Sequence, residues 1–246
     1  MSASEKWSLQ LARCKKKLLL NLELEPASTT FIVEAAISVL RTGLFTILGS
    51  MGVWNARQCL GFLLHAVMLQ NLYLSKTNPK ENTNSIQAEN TGTPSLCTDV
   101  NVDQCSIFTG AAGTGKTALL QACDVLTDVF FHADGAVHKS APTRTAARLN
   151  GGDTCHGAWA LPFGSCLGRQ GRISDIALKK LQARLKDKVE ASIDEISMLA
   201  PERFYQINER AKQGTGQTTK FMGGLKLRVN GDFMQLPPVN AGSFAS

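Results

Sequence analysis

The chain changes character twice along its length. Residues 1–74 are apolar and partly basic, and residues 75–104 ("SKTNPKENTNSIQAENTGTPSLCTDVNVDQ") are polar and rich in Asn and Thr. From residue 105 onward, short apolar runs alternate with stretches of helical period. The middle part carries too little apolar surface to hold a fold and reads as a linker. The last part, residues 105–246, reads as one domain in which strands and helices take turns. That order points to an α/β fold, a mainly parallel sheet flanked by helices. Within it, "CSIFT" (105–109) is a short run suited to a buried strand, and "ALLQAC" (118–123) is made of good helix formers. A short strand ends at Ala141, Pro142 and Thr143. Residues 189–193 ("VEASI") read as a strand, although Glu190 and Ser192 make it less apolar than a central parallel strand should be. Pro201 stands at the first turn of a helix whose Phe204, Ile207 and Ala211 share one face. Leu225, Leu227 and Val229 alternate with Lys226 and Arg228, the period of another strand.

The first region is harder to place. Residues 31–53 are long enough to cross a bilayer, yet they carry Glu34 and Arg41. Arg41 lies near the middle, where insertion costs about 2.5–3.5 kcal/mol. A second apolar run, residues 59–69, is too short to span. Two packed amphipathic helices or a poorly structured leader are the expectation, with a membrane helix as the alternative. Arg13, Lys15, Lys16 and Lys17 stand close to Glu5 at the start, and make neither a clean signal peptide nor a clean transit peptide.

Chemistry enters with "GAAGTGKT". Gly110, Gly115, Lys116 and Thr117 have the spacing of a phosphate loop. Gly110, Ala111, Ala112, Gly113, Thr114 and Gly115 would turn successive N–H groups on one anion, ATP. Lys116 would reach the β- and γ-phosphates, and Thr117 would offer its hydroxyl to Mg²⁺. The strand before and the helix after supply the order that such a loop needs. "SIDEISML" adds an acidic pair at a strand end: Asp194 for the Mg²⁺ shell and Glu195 to orient and deprotonate a water. Gln235 follows the strand of Leu225, Leu227 and Val229, in a place from which it reaches a γ-phosphate. In "SAPTRTAARLNGGDTCHGAWALP", Pro142, Thr143, Arg144, Arg148, Thr154 and His156 combine hydroxyls and basic groups at a strand end, which suits a nucleic-acid backbone. Trp159 suits base stacking, though a core position is the commoner outcome for such a residue.

The formal net charge of +6 and sequence pI of about 9.0 agree with a polyanionic partner without demanding one. The seven cysteines form no C-x-x-C pair and make no ligand spacing with the four histidines. That pattern speaks against zinc and for reduced thiols in an intracellular compartment.

Four blocks now stand in one order: GAAGTGKT, APTRTAARLNGG-x-T-x-H, IDEISML and GDFMQLPPV. Together they resemble the petite-integration-frequency (Pif) family of superfamily one DNA helicases, with RecD-type helicases as more distant relatives. The resemblance implies a RecA-like domain and an ATP-driven motor that moves 5′ to 3′ along single-stranded or forked DNA. It implies catalytic roles for Lys116, Asp194, Glu195 and Gln235, metal binding by Thr117 and Asp194, and DNA contacts at Pro142, Thr143, Arg144, Thr154 and His156. It also implies work in repair, recombination and telomere maintenance, in the nucleus or alternatively the mitochondrion. The chain departs from the family pattern at several points. Arg144 stands where Gly is usual, Gly157 follows His156 where Ser is usual, and the upstream Gln-containing adenine motif is not evident near the linker. Family members continue into a second RecA-like domain that supplies an arginine finger. The expectation for this chain alone is therefore weak Mg-ATP binding, slow hydrolysis and no unwinding. A non-catalytic ATP- and nucleic-acid-binding remnant and a membrane-tethered ATPase stay open as alternatives.

Overall fold

The computed structural model describes residues 9, 11–13, 15–16, 55–77, 105–111, 113–131, 134–162 and 173–234. The apolar segment 31–53, most of the linker, Ala112 and Gln235 lie outside the described residues.

Five strands form one parallel sheet: β1 (Cys105–Thr109), β2 (Val137–Ala141), β3 (Asp153–Thr154), β4 (Glu190–Ile193) and β5 (Lys226–Gly231), in the order β1-β5-β4-β2-β3. Six α-helices are described: α1 (Ala56–Thr77), α2 (Lys116–Phe130), α3 (Arg144–Asn150), α4 (Cys155–Ala158), α5 (Asp175–Leu185) and α6 (Pro201–Thr215). The alternation expected from the sequence is present, and β1, β2, β4 and β5 stand where strands were expected, while the two-residue β3 was not foreseen. Helix α6 starts with Pro201 in its first turn and stops at Gly216, whose φ of 74° no side-chain-bearing residue adopts without strain.

The two faces of the sheet differ. On one, Ala191, Ile193, Leu227 and Val229 pack with Trp159, Leu181, Leu185, Ile207 and Ala211 in a single apolar core. Ile207 and Ala211 are fully buried and Phe204 packs against them, as the helical spacing predicts. On the other face lie α2 and, over it, α1. Phe62 and Leu69 of α1 share an apolar cluster with Leu119, Ala122, Cys123, Leu126 and Phe130 of α2, which Leu11 joins from the N-terminal stretch. Lys15 pairs with Asp128 (2.8 Å) and Asp134 (2.6 Å) at the far end of α2. Among the described residues no helix is long and apolar enough to cross a membrane.

One expectation needs correction. Strand β1 is an edge of the described sheet, pairing with β5 alone, so Ile107 is 61% exposed instead of buried. Strand β5 alternates in sequence, yet all six of its residues are buried, Lys226 and Arg228 included. The blemish in β4 has the same origin. Glu190 is fully buried because it faces Arg228, with Nε to Oε1 at 3.2 Å.

Candidate functional site

Parallel strands put their C-terminal ends on one edge, where side chains from distant motifs meet. Here that edge gathers the loop after β1, the turn after β2, the acidic pair after β4 and Asp232 after β5. The phosphate loop ends at Gly115, whose φ of 81° lies in the left-handed region, and α2 begins at the next residue. No acidic residue stands in the first turn of α2, so its free N–H groups and positive dipole end are unopposed. Lys116 folds back into the loop and donates to the carbonyls of Gly110 and Ala111, the latter at 3.0 Å. Thr114 Oγ1 donates to Ala111 O at 2.8 Å, which closes the turn. The Lys116 amino group is therefore held against two carbonyls of the loop, a setting that fits a polyphosphate.

Asp194 and Glu195 differ in environment. The Asp194 N–H donates to Ser140 O of β2 at 2.9 Å, which fixes the strand end. Burial, joined by the neighbouring Glu195 carboxylate, lifts the Asp194 carboxyl above its usual pKa. A partly buried carboxylate under that strain is one a divalent cation would relieve, so Asp194 fits a Mg²⁺ ligand. Glu195 has φ 52° and is left-handed, at a cost of about 1–2 kcal/mol for a residue with a side chain. Its Oε2 is buried without a hydrogen-bond partner among the described residues. Backbone strain and an orphaned carboxylate oxygen together mark a functional position.

Of the DNA candidates, Arg144, Arg148 and Thr154 line one groove, and Pro142, Thr143 and His156 are not part of its lining. Arg144, Ala147, Arg148, Gly152, Asp153 and Thr154 line a concavity of about 510 Å³. Arg144 and Arg148 are exposed. Thr143 and Thr154 cap α3 and α4: their hydroxyl oxygens accept from Ala146 N and Gly157 N, each at 3.2 Å. His156 is half-buried, and burial with the Arg203 charge lowers its pKa. A Cβ on Gly157 would come within 2.6 Å of the Asp153 carboxylate, so that carboxylate fills the room a larger residue would need. Trp159 takes the core outcome: it is fully buried, donates to Ser140 Oγ at 3.0 Å and meets His138 edge-on.

One residue escaped the sequence reading. Gln58 of α1, 56 positions before Thr114, donates its Nε2 to Thr114 O at 2.9 Å. Asn55 and Gln58 cap each other at the start of α1, with Gln58 N to Asn55 Oδ1 at 3.0 Å and Asn55 N to Gln58 Oε1 at 2.9 Å. A glutamine does stand upstream of the loop, then, but before the linker and not near it. The Asn-x-x-Gln spacing just ahead of the apolar run 59–69 was the available signal.

A family model described as PIF1-like helicase matches residues 97–245. The chain is 33% identical over 156 residues to the ATP-dependent DNA helicase PIF6 of Trypanosoma brucei brucei, covering 59% of this chain and 18% of that protein. It is 34% identical over 152 residues to the human ATP-dependent DNA helicase PIF1, covering 57% of this chain and 21% of that protein. Among solved structures, a Bacteroides Pif1 helicase in complex with ADP-AlF3 and ssDNA matches at 30% identity and a TM-score of 0.43, over 56% of this chain and 30% of that one. The chain thus spans about a fifth of the length of these two relatives. With its described α/β core and the motif edge falling inside the matched residues, the chain belongs to the PIF1-like helicase family.

Proposed function

We propose that this chain is the ATP-binding lobe of a DNA helicase that couples ATP hydrolysis to movement on single-stranded or forked DNA, 5′ to 3′. The observation that carries the reading is convergence. The Lys116 loop, the Asp194–Glu195 pair and the Arg144–Arg148 groove share one edge of one parallel sheet. Lys116 leaves the Gly110 and Ala111 carbonyls for the phosphates of ATP. Thr117 and Asp194 hold Mg²⁺, which supplies charge neutralisation on the phosphate oxygens when bound. Glu195 orients the attacking water and takes its proton. Gln235, which comes after β5 in the sequence, would sense the γ-phosphate, and Gln58 braces the loop from α1. Pro142, Thr143, Arg144, Thr154 and His156 set the path of the DNA backbone, with Arg148 beside them. Two names support this reading: the human relative is an ATP-dependent DNA helicase, and the Bacteroides structure holds ADP-AlF3 and ssDNA. Roles in repair, recombination and telomere maintenance, in nucleus or mitochondrion, follow the resemblance alone.

The test is ATP hydrolysis by the full chain with and without a single-stranded oligonucleotide. DNA should raise the rate, Glu195→Gln should abolish it, and Arg144→Ala with Arg148→Ala should remove the DNA effect alone. A rate that ignores both DNA and Glu195→Gln would contradict the proposal.

A further inference from the structure

The sheet face beneath α2 is a chain of buried and part-buried charges that none of the four motifs uses. Asp124 lies on α2, two turns beyond Lys116. One of its oxygens receives Arg228 Nη2, and the other lies 3.3 Å from Lys139 Nζ of β2. Arg228 is fully buried on β5 and pairs with Glu190 of β4, at 3.2 Å but without hydrogen-bond alignment. Thr127, one turn further along α2, donates to Glu190 Oε2 at 3.0 Å. Charges and hydroxyls thus tie α2 to three strands at once. His65 closes the cluster from α1, with Lys226 Nζ on its Nδ1 at 3.0 Å and Thr127 Oγ1 on its Nε2 at 3.1 Å.

Stability alone does not account for this arrangement. A buried ion pair gains little over apolar residues of the same size, because desolvation consumes the attraction. What directional contacts add is position. A helix on a purely apolar face keeps freedom to slide and roll, whereas Asp124 fixes both motions. Three of these elements, α2, β4 and β5, carry the site at their other ends. Asp194 lies four residues beyond Glu190, Asp232 four beyond Arg228, and Lys116 and Thr117 open α2.

We propose that the Asp124–Arg228–Glu190 clamp, steadied by Lys139 and Thr127, is a positioning device that sets the phosphate-loop helix in register with the strand carrying Asp194. It acts through Thr117 and Asp194, whose shared metal needs both ligands at once, and it rests on the nucleotide-site reading above. Disturbing it misplaces the two ligands relative to each other while leaving the loop's own N–H groups in place. Affinity for ATP without metal is then kept, and the gain on adding Mg²⁺ is lost.

The experiment is calorimetric titration of ATP into the full chain, once in Mg²⁺ and once in EDTA. It compares wild type, Asp124→Asn and Lys139→Met. Supporting-shell changes cost about 10–100-fold in metal affinity, so Asp124→Asn should lower the magnesium gain about tenfold. Its affinity in EDTA should stay at the wild-type value. Lys139 is part-exposed, so Lys139→Met folds even where Asp124→Asn does not, and it should lower the gain in the same direction but less. An unchanged gain in the folded variants overturns the clamp alone. An equal loss in Mg²⁺ and in EDTA also overturns it, because that is general damage to the loop. Wild type that binds no ATP overturns the nucleotide-site reading and the clamp with it.

Discussion

The two faces of the central sheet are equally buried and chemically opposite. Ala191, Ile193, Leu227 and Val229 meet α5 and α6 through apolar atoms only, while Glu190, Lys226 and Arg228 meet α1 and α2 through charges. An apolar face tolerates reshaping as long as its volume is kept. A buried charged face tolerates little, because each partner removed strands another. The charged face lies under the helix that opens with the phosphate loop, and the apolar face lies under helices that carry no motif. Order is strictest, on this view, where geometry matters to chemistry.

The comparison is broken most directly at Arg228. Arg228→Met leaves Glu190 and Asp124 facing each other without their cation, and should cost about 3–5 kcal/mol in denaturant unfolding. Leu227→Ala, its neighbour on the apolar face, should cost about 2–4 kcal/mol by leaving a cavity. A smaller cost at Arg228 than at Leu227 would remove the distinction between the faces.

Acidity sharpens the contrast. Burial and the Lys226 and Arg228 charges hold the His65 pKa well below 6.5, and burial lowers His138, on the strand next to β4, to about 4. Both rings are neutral when folded and take a proton when unfolded, so the unfolded state binds more protons below pH 6.5. Their contribution is complete above that pH and falls as acid is added, by about 1.4 kcal/mol per pH unit for each ring. His65→Gln should flatten the fall in stability as pH drops below 6.5, read from urea midpoints across that range. An unchanged slope would place His65 outside the charged cluster. The smallest effect belongs to the sheet edge. Ile107→Thr on β1 should change stability by less than about 0.5 kcal/mol, since the side chain is 61% exposed.

What the sequence revealed was local. The glycine spacing of the phosphate loop, the Asp194–Glu195 pair after a strand and the 3.6-residue period of Phe204, Ile207 and Ala211 each lie within a few residues. The parallel sheet followed from their alternation. What it concealed was nonlocal. Gln58 reaches the loop across a long separation, and its partner is a backbone carbonyl that leaves no mark in composition. The alternation in β5 gave the strand but not its burial, because the partners that neutralise Arg228 come from α2 and β4. Glu190 looked like a flaw in a central strand until Arg228 was beside it. Trp159 was open to two outcomes because only the fold could bring Ser140 Oγ to its ring N–H.

The role of the Gly110–Thr117 loop is decided by the ATP affinity of the full chain in Mg²⁺, compared between wild type and Lys116→Ala. A hydrogen-bonded charge on a phosphate contributes about 1.5–3 kcal/mol, so the substitution should weaken binding about ten- to hundredfold. Equal affinity in the two proteins would mean that the Gly110–Thr117 loop does not hold the nucleotide, and the functional reading of this edge of the sheet would fall.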